Sequence, residues 1–486
     1  MAIFEHDETI DHPLDEVWAW HTRPGALTRL SPEWAQEVVE ESWPPLSPGS
    51  RARMRTSAPG TAGSVRVPFV AEHGPGPTEH SFIDRMVKGP LQSWTHTHVF
   101  SAADSAVDDS PAGSGQARCR ISDRVEYAPV PRRLPAAGLI SATASGAVME
   151  PTLAATFEAR TRRLIADLDF HRDLDALSRG RRLNVLIGGA SGLVGTQVAA
   201  MLSTGGHTVR RLVRRAAARE DEVSWDPARG QLEASAVAWA DVVVHLGGAS
   251  IARRLTAKAK QKVMDSRIDS TRLLVDTCAA LPESVRPEAL VCASAIGYYG
   301  GQRGSEVLDE SAAPGEGFLA EVCVAWEAEA ARVEQLGMRR ISVRTGVVMS
   351  SLGGMLRIQV PLYLAGLGGP LGGGRNRLSW LSLDDLTRIY VRAAVDRDIT
   401  GPINAVAPEP VAQREFAREL GHALHRPSVV PAPALGPKLL LGRQANEEFV
   451  MADQQVAPAA LESAGYAFRH PRLADALAET LPPRRG

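Results

Sequence analysis

Apolar and polar positions change rhythm near residue 180 of this 486-residue chain. Before that point, short runs with a period of two alternate with breaks rich in Pro, Gly and Ser: Ser42–Pro48, Gly74–Pro77 and Ala103–Gln116. The runs Trp94–Phe100 and Cys119–Tyr127 read as strands, the second with Ile121, Asp123 and Val125 on one side. A different period follows. Leu153, Phe157, Leu164, Ile165 and Leu168 recur at helical steps and predict a helix from about Glu150 to Phe170. Strands closed by one amphipathic helix predict an α+β unit. The charged stretch His171–Arg182 reads as a linker. After it, buried strands and helices alternate: Val185–Ile187, a helix through Val198 and Leu202, Thr208–Val213, Asp241–Ser250, a helix opening at Ser266, and Leu290–Ala295. That alternation predicts a doubly wound α/β sheet.

Composition narrows the classes. An apolar fraction of 44% with 23% charged residues supports a folded core and excludes a disordered chain. Lysine and arginine total 54 against 56 acidic residues, which provides no electrostatic basis for a nucleic-acid surface. The four cysteines, Cys119, Cys278, Cys292 and Cys323, lack metal-like spacing, and the N-terminus is acidic where a secretory signal would be basic. A cytoplasmic protein without zinc, disulfides or a membrane span is expected. His96 and His98 share a strand face, but no third metal ligand is evident beside them.

The richest segment for chemistry is Leu183–Gly195, where a buried strand runs into Gly189, Gly192 and Gly195 before a helix. Gly189 permits the turn, Gly192 lets backbone approach a pyrophosphate, and Gly195 lets helix and strand pack closely. Ser191, Leu193 and Val194 complete the loop, whose helix N-terminus directs amides and a positive dipole end at phosphate. The second strand ends in Arg214-Arg215 and not in a carboxylate. Guanidinium groups suit a 2′-phosphate, so NADP(H) is preferred and NAD(H) is the alternative. Leu246, Gly247 and Gly248 would pass beneath the adenosine.

Two resemblances add to this reading. Asp15–Trp20, Trp94–Phe100, Ser122–Tyr127 and the closing helix together resemble the polyketide-cyclase/START-like (SRPBCC) helix-grip superfamily over residues 1–178. The resemblance implies a cavity for an apolar ligand. Asp265–Thr271, Ala293–Gly300, Phe318–Glu327, Val343–Gly346 and Leu378–Asp385 resemble the atypical extended short-chain dehydrogenases known as epimerase family proteins. The GxxGxxG spacing points the same way, and Ala464–His470 resembles that family's small C-terminal domain. The implied division is 1–178, a Rossmann part at 179–428, and 429–486.

By that resemblance Ser294 ends a central strand, where it would hold a substrate carbonyl or hydroxyl. The usual Tyr-x-x-x-Lys pair is missing, with Leu319 and Cys323 in its places. Tyr298, Tyr299 or Glu321 would then have to supply a proton. Arg344 would bind an anionic substrate group or pair with a nearby acid, Asp384-Asp385 open a helix, and Ser382 stands where the family shows His. Met355–Arg377 reads as a glycine-rich loop covering substrate. The expected function is an NADP-dependent oxidoreductase or epimerase acting on an unidentified small molecule. The alternatives are a cofactor-binding regulator without turnover, or an N-terminal carrier or cyclase assisted by the Rossmann part.

Overall fold

The computed structural model describes residues 1–58, 61, 63–103, 117–128, 146–251, 254–430 and 442–483. The Pro/Gly/Ser break predicted after Ala103 lies outside them up to residue 116. Two compact units are present. One is built on residues 1–173, and the other on 174–202 and 207–478.

The first unit is a seven-stranded antiparallel sheet in the order β1-β7-β6-β5-β4-β3-β2. Its strands are β1 (Ala2–Ile10), β2 (Gln36–Glu40), β3 (Arg51–Ser57), β4 (Arg66–Pro75), β5 (Ser81–Lys88), β6 (Ser93–Ala103) and β7 (Arg118–Ala128). Alternation in β7 is strict: Cys119, Ile121, Asp123, Val125 and Tyr127 are buried. The charged member of that row, Asp123, is held by histidines of β6. Leu153 and Phe157 of the closing helix pack with Phe4, Val125 and Tyr127. Leu164 and Leu168 pack with Ile10, Trp20 and Phe100. The helix spans Gly146–Ser178, so the predicted end at Phe170 is corrected, and the helix-compatible stretch from His171 is helical as far as Ser178. Its charged last turns keep helical geometry because Leu174 continues the buried stripe.

The second unit carries a seven-stranded sheet in the order β10-β9-β8-β11-β12-β14-β18. These strands are β8 (Asn184–Gly188), β9 (Thr208–Val213), β10 (Glu222–Ser224), β11 (Val242–His245), β12 (Ala289–Ala295), β14 (Arg339–Thr345) and β18 (Gly401–Ala405). Every pairing is parallel. Burial on both faces explains the unbroken apolar runs Val185–Ile187 and Val242–Val244. Chain order reverses between β8 and β11, where open α/β sheets place their ligand crevice.

Three small pairs complete the unit: β13 (Gln302–Leu308) with β20 (Asp453–Val456), β15 (Val347–Met349) with β17 (Trp380–Ser382), and β16 (Arg377–Leu378) with β19 (Val411–Ala412). Two local readings are corrected. The helix expected to open at Ser266 begins at Ala257, behind a Thr256 side chain that accepts from the Ala259 amide. Met355–Arg377 is not a plain loop, because Gly354–Leu364 is helical and buries Leu356, Val360 and Tyr363. Among the described residues, no helix is long and apolar enough to cross a membrane.

Candidate functional site

Gly189 and Gly195 sit where close backbone approach requires glycine. Gly189 adopts φ +87°, and a Cβ there would lie 2.8 Å from the Leu246 carbonyl carbon and 2.9 Å from the Gly247 nitrogen. The turn after β8 is therefore pressed against the end of β11. At Gly195 a Cβ would sit 2.2 Å from the Gly189 oxygen, so only glycine lets this helix start so close to the strand. Gly192 differs. A Cβ there would meet just one atom within 4 Å, the Gly189 oxygen at 3.3 Å. Ser191 and Gly192 are exposed, and Leu193 and Val194 are half-buried at the start of the helix Leu193–Thr204. The amides of Leu193, Val194 and Gly195 have no carbonyl one turn back within the helix to receive them, whereas Thr196 donates to the Gly192 oxygen at 2.9 Å. This is a cradle of the kind a diphosphate fills, and its residues fit a dinucleotide.

At the neighbouring strand end, Leu246 donates its amide to the Gly188 oxygen at 2.7 Å. Gly248 passes close to the Arg267 guanidinium, which donates to the carbonyls of Ala249 and Val263. His245 is fully buried, shares 2.9 Å with the Ser270 hydroxyl, and leaves Nδ1 unpartnered. Burial, and secondarily Arg267, hold it neutral with a pKa lowered to about 4.

The two arginines after β9 separate in role. Arg215 makes two bonds to Glu222, at 2.8 and 2.6 Å, and this pairing holds the Glu222 carboxyl at a pKa of about 2. Arg214 is exposed, with no hydrogen bond or ion pair among the described residues.

Beyond the end of β12 the substrate-side candidates form one network. The Ser294 hydroxyl is 4% exposed and donates to Glu327 Oε1 at 2.6 Å. Arg344, on the adjacent strand, donates from Nε and Nη2 to the two Glu327 oxygens, both at 2.9 Å. Its Nη1 reaches the Tyr299 hydroxyl at 2.9 Å and the Glu310 carbonyl at 3.2 Å. Arg344 is thus paired, though with Glu327 and not with Asp384 or Asp385. Tyr299 is fully buried, faces Asn404 Oδ1 at 2.7 Å, and has its phenol pKa raised by burial. Tyr298 is half-buried with Arg344 stacked 3.5 Å from its ring centroid, and its hydroxyl makes no hydrogen bond among the described residues. Ser294, Tyr298, Tyr299 and Arg344 come together, and only the Tyr298 phenol is left free.

Glu327 and Asn404 were missed as site residues. The signal for Glu327 was a carboxylate one turn after Cys323 on a helix stripe that otherwise buries Val322, Cys323, Trp326 and Ala330. That helix, Phe318–Ala331, turns Leu319 and Cys323 toward Gly297, where a Cβ would lie 3.3 and 3.8 Å from them. Burial pushes the Cys323 thiol up to about 11, so it supplies no thiolate at neutral pH. Glu321 is exposed on the same helix.

The C-terminal segment braces this region. Gln454 Nε2 donates to the carbonyls of Ile296 and Gly300 at 2.9 and 2.6 Å, gripping the turn that carries both tyrosines. Glu448 accepts the Leu319 amide at 2.9 Å. Ser382 caps the helix Leu383–Val395 by accepting the Asp385 amide, and Asp385 accepts the amides of Arg469 and His470. The Asp384–Asp385 pair therefore both opens a helix and anchors the tail.

Comparison with known proteins accords with this geometry. Residues 185–405 match the NAD dependent epimerase/dehydratase family, and residues 432–480 match a domain of unknown function, DUF1731. An epimerase family protein of Mycobacterium bovis is 40% identical over 294 residues, covering 60% of this chain and 96% of that protein. The chain belongs to the epimerase family. A Corynebacterium glutamicum structure described as a nucleoside-diphosphate sugar epimerase superposes with a TM-score of 0.75 at 33% identity, covering 99% of this chain and 90% of that one. The human epimerase family protein SDR39U1, solved with NADPH, gives a TM-score of 0.55 at 30% identity over 61% of this chain and 98% of its own. The family resemblance drawn from Asp265–Thr271, Ala293–Gly300 and Ala464–His470 is borne out. The N-terminal unit is largely antiparallel sheet, and neither family match extends to it.

In that unit, His96 and His98 are hydrogen-bonded to Asp123 and not solvated. Asp84 of β5 lies beside them, so the expectation that no third acidic or imidazole group accompanies the pair is corrected. Asp84 belongs to a run whose register with β6 the sequence does not display.

Proposed function

We propose that this chain binds NADP(H) across the ends of β8 and β11 and acts as an oxidoreductase or epimerase on a small molecule. The observation that carries this reading is the glycine turn at the start of the helix Leu193–Thr204, where a Cβ at Gly192 would meet only the Gly189 oxygen, with Arg214 unpaired beyond the next strand. The NADPH complex of the human relative supports the same choice of cofactor. Bound nicotinamide would supply or accept hydride. Arg214 would meet the 2′-phosphate, whereas Arg215 keeps Glu222 in place. Losing one charge-assisted contact of this kind costs about 1.5–3 kcal/mol, so Arg214→Ala is expected to raise the NADPH Kd roughly 10- to 100-fold. NADH titration should change little. Equal effects on both nucleotides would overturn the 2′-phosphate role.

On the substrate side, Tyr298 is the proton donor this geometry favours, because its hydroxyl is uncommitted and Arg344 lies over its ring. Ser294, whose hydroxyl donates its hydrogen bond to Glu327, would act by positioning the strand end. Tyr298→Phe is expected to slow turnover about 100-fold while leaving NADPH affinity intact, the scale usual for losing a positioned acid or base. Nucleoside-diphosphate sugars are the first substrates to assay, as the Corynebacterium protein's description suggests.

Leu319 and Cys323, where a Tyr/Lys pair would serve, favour a second reading: a regulator that binds NADPH without turnover. No NADPH oxidation or sugar interconversion across that panel, with NADPH affinity preserved, would favour it. We assign the N-terminal unit to the helix-grip type, with its sheet and long helix holding an apolar ligand. Co-purified lipid or aromatic compound, identified by mass spectrometry of the intact protein, would support that assignment.

A further inference from the structure

Four adjacent strands of the N-terminal sheet place titratable side chains in one row. His73 on β4 stands opposite Asp84 on β5, Asp84 opposite His96 on β6, and His98 opposite Asp123 on β7. The period of two along β6 brings His96 and His98 to the same face, and both are at least nine-tenths buried. One ligand atom from each of Asp84, His96 and His98 lies within 4.8 Å of the others. His98 Nε2 faces Asp84 Oδ2 at 3.6 Å.

The surroundings are those of a built site. Asp123 Oδ1 takes one ring nitrogen of each histidine, His96 Nε2 at 2.9 Å and His98 Nδ1 at 2.7 Å. When the rings are neutral, that leaves the opposite nitrogen of each as a lone pair, the arrangement by which an outer carboxylate orients metal-bound histidines. His73 Nδ1 pairs with the second oxygen of Asp84, so that Oδ2 is the carboxylate oxygen turned toward His98. Phe82 stacks on His98 at 4.2 Å and Phe157 meets His96 edge-on at 5.2 Å, forming an apolar wall around the group. Asp84 retains 20% side-chain exposure, which provides an entry path. Arg160 and His21 also act electrostatically on the cluster, but two carboxylates against one guanidinium leave net negative charge when the imidazoles are neutral.

We propose that Asp84, His96 and His98 bind one divalent transition-metal ion of the zinc or iron(II) class, with Asp123 orienting both histidines. Two imidazoles and one carboxylate suit such ions and are too nitrogen-rich for calcium or magnesium. A proton on the imidazole pair is the rival occupant.

The test uses the full-length protein after chelation and dialysis, with Co²⁺ as the probe and Zn²⁺ as competitor. The expected result is one Co²⁺ per chain with visible d–d absorption, bleached by Zn²⁺, and accompanied by proton release as imidazole deprotonates. Asp84→Asn and His98→Gln should each weaken binding at least tenfold while far-UV circular dichroism is unchanged. Should either variant fail to fold, the wild-type absorption band decides, because a protein site of low coordination number gives intensities that six-coordinate hydrated Co²⁺ does not. Failure of the wild-type protein to take up Co²⁺, or uptake undiminished in the folded variants, overturns the proposal.

Discussion

A Gly192→Val variant should fold as the parent does and yet bind NADPH about 100-fold more weakly, equivalent to roughly 3 kcal/mol. The expectation rests on a contrast within one loop. Around Gly192 a Cβ would meet only the Gly189 oxygen, at 3.3 Å, a contact that a small shift of the turn relieves, so apo stability should fall little. The branched side chain would instead occupy the space the cofactor's phosphates need. Gly195→Val is the control, since a Cβ there would lie 2.2 Å from the Gly189 oxygen and the helix would have to move. It should lose both stability and binding. Fluorescence titration with NADPH, alongside thermal unfolding without ligand, separates the two outcomes. Parental affinity in Gly192→Val would remove the phosphate cradle from the account of this protein.

The largest effect on stability is expected at Glu327. Its carboxylate takes two bonds from Arg344 and one from Ser294, with side-chain exposures of 11% and 4% for the ion pair. Removing one partner of such a pair leaves the other charge buried and alone, which costs about 3–5 kcal/mol. Glu327→Leu should therefore lower unfolding free energy by that amount in urea titrations. Arg344→Met added to it should restore most of the loss, because no orphaned guanidinium then remains. A single-variant loss under about 1 kcal/mol would mean that the pair is solvated after all.

Legibility followed the range of the interactions. The glycine cradle was readable because strand, turn and helix start are contiguous in sequence and each glycine has a local steric task. The all-parallel sheet was readable because burial on both faces writes unbroken apolar runs. The Glu327–Arg344 pair was not, because it joins a helix to a strand 17 residues on, and either charge alone looks like surface. Arg214 and Arg215 were indistinguishable until Glu222 was found to take only the second. In the N-terminal unit, His96 and His98 were placed on one face by periodicity, but Asp84 and Asp123 joined them through strand register, which local pattern does not encode. The helix end was read short because its apolar stripe thins to Leu174 after Phe170.

The grip of Gln454 on the carbonyls of Ile296 and Gly300 has a consequence for how the protein is made. During synthesis, the tyrosine-bearing turn leaves the ribosome well before residue 454 of 486 exists to hold it. The nascent Rossmann sheet must wait with that wall unbraced, so competence arrives late, with the tail. A stop codon placed between Gly300 and Gln454 would yield a chain that owns every glycine of the nucleotide loop and still has a slack tyrosine turn.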